Sequence, residues 1–166
     1  MKIRILLFVC CTLLATALFV TRSPRVVSAQ DDKTKPAVVL RKGFGEVSGW
    51  VTKSAEMVPE DKYNYKPVDS VRTYGQLIAH ITDSYNYFCA HGGGNKVQWS
   101  DAVEKGKTDK ATLIPKLKEA VDKCNAVYAT DNGAIAPLMN NIGHTNLHYG
   151  NIITYLRMMG MKPPSS

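Results

Sequence analysis

The stretch Asn140–Gly160, NNIGHTNLHYGNIITYLRMMG, decides how the chain is read. With its upstream neighbour Leu138, the apolar residues Ile142, Tyr149, Ile152, Leu156 and Met159 form a heptad-like seam, the mark of an amphipathic helix. Beside the seam runs a polar stripe of Asn141, His144, His148, Asn151 and Tyr155. His144 and His148 stand four residues apart, a little over one helical turn, so their rings project from one face about 6 Å apart. Burying such a stripe costs free energy unless its groups are paired or bound. A metal would satisfy both imidazoles at once, with Asn141, Asn151 or Tyr155 placed to support the ligands. The spacing is that of helical zinc sites, although no Glu follows the first histidine as in HExxH.

A third histidine, His80, lies in the helical pattern TYGQLIAHITDSYNYF, Thr73–Phe88. If the two helices are neighbours, His80, His144 and His148 converge on one divalent metal, and neutral imidazoles suit Zn, Ni or Fe. Three ligands leave an open position for water or a substrate. Taken singly, each histidine has a plainer reading: His144 and His148 on a solvent-facing edge, His80 as a satisfied core residue. His91, at the Gly92–Gly94 stop, reads as a surface residue. Asp83, one turn beyond His80, is the only acid near these ligands and reads as free to point to solvent. Arg72 and Arg157 are isolated and read as surface residues.

Outward from this stretch, the periodicity gives three more helices. The first spans about 37–58, with Gly43, Gly45 and Gly49 weakening its middle at up to about 1 kcal/mol each against Ala. An extended linker through Tyr63, Tyr65 and Pro67 leads to a second helix starting near 70–73 and ending at Gly92–Gly94. A polar loop, 95–108, carries Trp99 as an apolar anchor and is long enough to cross one end of a bundle. The third helix runs over about 108–128, with Pro115 expected to distort its beginning, and Asp131–Gly133 turns the chain into the fourth, about 134–159. No strand alternation is present. The pattern predicts an all-α four-helix bundle.

The N-terminus reads differently. Lys2 and Arg4 precede the apolar run Ile5–Val20, and Val27 and Ala29 form an A-x-A-like cleavage site, the layout of a secretory signal peptide. The run is shorter than the roughly 20 residues a membrane span needs, so we read 1–29 as a cleaved leader rather than an anchor, and 30–166 as the mature domain. The mature protein is then exported, to the periplasm or the medium, and touches a membrane only through its leader. Four of the 21 basic residues and no acid precede residue 30, so the formal charge falls from +7 to +3. The remaining charges are interspersed, which argues against nucleic-acid binding. Cys89 and Cys124 invite a disulfide in an exported chain. The plainer reading is two small buried thiols on different helices.

The segment AEMVPEDKYNYKPVDSVRTYGQLIAHITDSYNYFCA (55–90), followed by GHTNLHYGNIITYLRMMGMKPPSS (143–166), resembles the DinB-like (YfiT-like) superfamily of bacterial four-helix bundles. The resemblance extends over nearly all of the mature chain. It implies a long crossover between helices 2 and 3, and a metal held by one histidine of helix 2 and two of helix 4, here His80, His144 and His148. Characterised relatives include metal-dependent transferases that use low-molecular-weight thiols such as bacillithiol or mycothiol. Those thiols are cytosolic, whereas this chain carries an export leader. The resemblance therefore implies a metal-dependent transferase or hydrolase that activates a thiol or water for an unidentified small molecule. A bundle that holds a metal or small ligand without turnover is the alternative, and a structural, dimeric bundle is a third reading.

Overall fold

Pro36 supplies a preset φ at the first position of a helix, where its missing N–H costs nothing. There the first element begins in the computed structural model, which describes residues 35–166. The leader proposed for 1–29 lies outside these residues. Helix α1 covers Pro36–Met57, α2 Tyr74–Gly92, α3 Lys110–Tyr128 and α4 Ile135–Met158, with one 3-10 turn at Glu60–Lys62 and no strand among the described residues. The expected helices are thus all present. Among the described residues no helix is long and apolar enough to cross a membrane. Helix α1 runs unbroken through Gly43, Gly45 and Gly49, and α3 through Pro115. In both, tertiary packing outweighs local propensity.

Each of α1 and α2 packs chiefly against α3 and α4, so α1 and α2 occupy one diagonal of the bundle. The core between them is largely aromatic. Phe44 of α1 stacks on Tyr128 of α3 with centroids 4.4 Å apart and meets Tyr85 of α2 edge-on. Ile78, Ile81, Leu113, Leu117, Ile152 and Leu156 fill the remaining space. Two tyrosine hydroxyls at the ends of this core bond to carbonyls, Tyr63 to Ala55 at 2.6 Å and Tyr128 to Leu138 at 2.7 Å, which satisfies these buried donors.

The linker before α2 does more than connect. Its Tyr65 and Tyr63 carbonyls accept the Tyr74 and Gly75 N–H groups at 2.8 Å each, two of the donors a helix N-terminus leaves free. Thr73 and Gln76 complete a reciprocal capping box. The three segments crowd at Gly75, where a Cβ would run into the Thr108 carbonyl oxygen. This end of α2 is therefore fixed from both flanking connections, two turns before His80.

Cys89 and Cys124 form a disulfide between α2 and α3, Cα atoms 5.2 Å apart, so the reading as separate thiols is corrected. Two inward-facing positions on neighbouring helices meet at the same level, which periodicity alone does not show. Asn141, expected to support the histidines, instead points here. Fully buried, it donates to Cys89 Sγ at 3.4 Å and to the Tyr128 hydroxyl at 3.3 Å.

The bridge closes a 35-residue separation, for which loop-closure entropy gives about 3–4 kcal/mol. The paired substitution Cys89→Ala/Cys124→Ala is expected to lower the unfolding free energy by about that amount in urea titrations, with helical circular dichroism retained at low urea.

Candidate metal centre

The packing of α2 on α4 brings the three predicted histidines together. His80 comes from the second turn of α2 and is buried; His144 and His148 come from successive turns of α4 and are partly buried. Ring centroids are 5.2 Å apart for His80–His144, 4.7 Å for His80–His148 and 4.4 Å for His144–His148. One nitrogen from each lies within 4.8 Å of the others. Trp99 packs on His80 and on His144, and Phe88 on His144, forming an apolar wall.

The donor set fits a divalent ion. His144 Nε2 and His148 Nε2 are 3.2 Å apart. Two nitrogens each about 2.05 Å from a tetrahedral zinc would stand about 3.3 Å apart. Burial first, and then the neighbouring His80 and Arg72 for His144, and His144, His80 and Arg72 for His148, hold both rings' pKa values down to about 4. Both are thus neutral at pH 7, the form that binds metal. Their Nδ1 atoms are buried without a protein partner, so each of these rings is committed through Nε2 alone.

Two polar residues reach His80 directly, Glu104 and Arg72, neither of them expected there; Tyr155 and Asp83, both expected near the ligands, act through these two. Glu104, from the loop before α3, places Oε2 3.1 Å from His80 Nδ1. Arg72 clamps that carboxylate, Nε to Oε1 at 2.7 Å and Nη2 to Oε2 at 3.3 Å; its own carbonyl accepts the Tyr155 hydroxyl at 2.7 Å. Arg72 is therefore not an idle surface residue, and Tyr155 supports the site through it. Asp83 does not face solvent: it is buried and accepts the Val103 and Glu104 N–H groups at 3.0 and 2.9 Å. Burial raises its pKa, against the pull of those two bonds. Asn151 is exposed. His91 stands in the last turn of α2, where it donates to the Val97 carbonyl and packs on Tyr87, apart from the three-histidine group.

His80, Asp101 and Glu104 form a second cluster of donor atoms. Its charge is already answered: Arg72 holds Glu104, while Lys105 and the Trp99 indole N–H hold Asp101. In the first cluster, Arg72 Nη2 stands 3.4 Å from His80 Nδ1. Beside it a cavity of about 560 Å³ opens, lined by Ser70, Arg72, Gln76, His148, Asn151 and Tyr155 among others.

Two measurements follow from this geometry. In metal-free protein the folded rings refuse protons down to about pH 4, while the unfolded chain accepts them from about pH 6.5. Stability should be level above pH 7 and fall as pH drops from 6.5 to 4. Thermal melts across that window should show a shallower fall in the His144→Gln/His148→Gln variant. Co²⁺ or Ni²⁺ should quench indole emission in the wild type and in Trp50→Phe, and leave Trp99→Phe unchanged.

Comparison with protein-family models, curated proteins and solved structures returns no match to this chain.

Proposed function

We propose that this chain is an exported, DinB-like bundle that holds a divalent Zn, Ni or Fe ion through His80, His144 and His148 and uses it on a small molecule. The carrying observation is the 3.2 Å approach of two neutral, half-buried imidazole nitrogens with a third ring beside them. An N–H···N bond between the two uncharged rings leaves the donor ring with a bare, buried Nδ1 lone pair. A shared cation takes both Nε2 lone pairs, with a proton on each Nδ1.

An ion bound there would supply Lewis acidity, lowering the pKa of a thiol or water at its open position, the chemistry of a transferase or hydrolase. The protein's own groups would do the rest. Arg72, Gln76, Asn151 and Ser70 border the cavity beside His148 and offer donors and acceptors to orient a polar substrate. Trp99 and Phe88 keep one side dry, which strengthens electrostatic contacts within.

The superfamily reading draws support from the all-helical architecture and from residues 93–109, the long connection between α2 and α3, which would be the crossover. The export reading draws support from the N-terminal pattern and from the disulfide, a bond that persists in oxidising compartments.

A second reading has one observation in its favour. The nearest carboxylate, Glu104, is already engaged by Arg72 and His80, and among the described residues no other acid borders the cavity. A site without a free general base suits a module that binds a metal or a small ligand without turnover.

Elemental mass spectrometry on the purified protein and on His144→Ala tests the proposal. Near-stoichiometric Zn, Ni or Fe, lost in the variant, is expected. No metal in either protein after reconstitution would overturn it and leave a ligand-binding or structural bundle.

A further inference from the structure

Of the three histidines, only His80 has a partner on its second nitrogen. We infer that Glu104 is the positioning residue of this centre: it accepts a hydrogen bond from His80 Nδ1–H, fixes the ring's orientation and leaves Nε2 as the metal-binding atom. The inference rests on the metal reading above, but its first test does not require a metal.

Two neighbours compete for His80 Nδ1, and they demand opposite tautomers. Glu104 Oε2, at 3.1 Å, is an acceptor and requires Nδ1–H. Arg72 Nη2, at 3.4 Å, is a donor and would require a bare Nδ1, with the proton on Nε2 and metal binding through that atom blocked. Distance and electrostatics both favour Glu104. A bare Nδ1 would set its lone pair against a carboxylate oxygen at 3.1 Å, whereas Nδ1–H makes a charge-assisted hydrogen bond there. Arg72 loses nothing by this, because it already has both Glu104 oxygens.

The carboxylate is held too firmly to be an incidental surface contact. Asp83 receives the backbone N–H groups of Val103 and Glu104, so α2 carries both the ligand and, three residues on, the anchor of the loop that orients it. Arg72 grips the carboxylate from the other side, and Tyr155 of α4 grips Arg72. Glu104 is thereby tied to both ligand-bearing helices. Its side chain is only 17% exposed, so the bond to His80 is shielded from competing water. A carboxylate behind a ligating histidine sets its tautomer and raises its basicity, and losing such a partner weakens metal binding about 10- to 100-fold.

Long-range ¹⁵N–¹H correlation spectra of the metal-free wild type, recorded near pH 8.5, read the tautomer directly. The expected result is a proton on His80 Nδ1 and none on Nε2; the reverse overturns the inference. Zinc competition against a chromophoric chelator then compares wild type, Glu104→Ala and Glu104→Gln. Glu104→Ala should bind about 10- to 100-fold more weakly. Glu104→Gln, whose amide oxygen still accepts from Nδ1–H, should recover part of the loss. Equal affinity in Glu104→Ala and wild type overturns the inference. A wild type that binds no zinc sinks the metal reading itself, and the spectra then decide alone whether Glu104 sets the ring.

Discussion

The site depends on one constraint: α2 and α4 pack closely enough to force three imidazoles into a shared seam while leaving two of them no carboxylate of their own. Burial keeps His144 and His148 uncharged. Glu104, whose carboxylate meets His80 at 3.1 Å, is shared between His80 and Arg72. The seam is therefore rich in lone pairs and poor in charge, the condition under which a soft or borderline cation is the most favourable occupant.

Much of this was legible in the sequence, for identifiable reasons. Helices announce themselves through local periodicity, and the i, i+4 pair His144/His148 is a local geometric fact. His80 could be added because it lay on the apolar-periodic stretch of another helix. Asp83, Arg72 and Glu104 resisted, since each acts through a contact across connections that carry no period. Glu104 lies 24 residues beyond His80 within a polar loop, where one glutamate looks like any other. The only available hint was Asp83 itself, an acid on a helix whose neighbours are mostly buried.

Two further misreadings share one origin. Cys89 and Cys124 looked like separate thiols, and Asn141 looked like a supporter of the histidines, because a stripe on a helix has a direction but no destination. Which neighbour faces it is set by how four helices are arranged. With α1 and α2 on one diagonal, the upper part of the α4 stripe turns toward the disulfide and Tyr128, and only the part from His144 onward reaches α2 at His80. One stripe therefore serves two environments, a covalent bridge and a cluster of rings.

The bridge and the Tyr155–Arg72 bond together have a mechanical effect. They act near opposite ends of α2, Cys89 in its last turn bridged to α3 and Arg72, in the linker just before it, bonded to α4. Ties at two levels to different neighbours oppose sliding of α2 along its axis, the shear by which packed helices commonly shift. The lining beside His148 that lies outside α2 and α4, namely Ser70, Val71, Arg72 and Glu104, comes from the connecting segments.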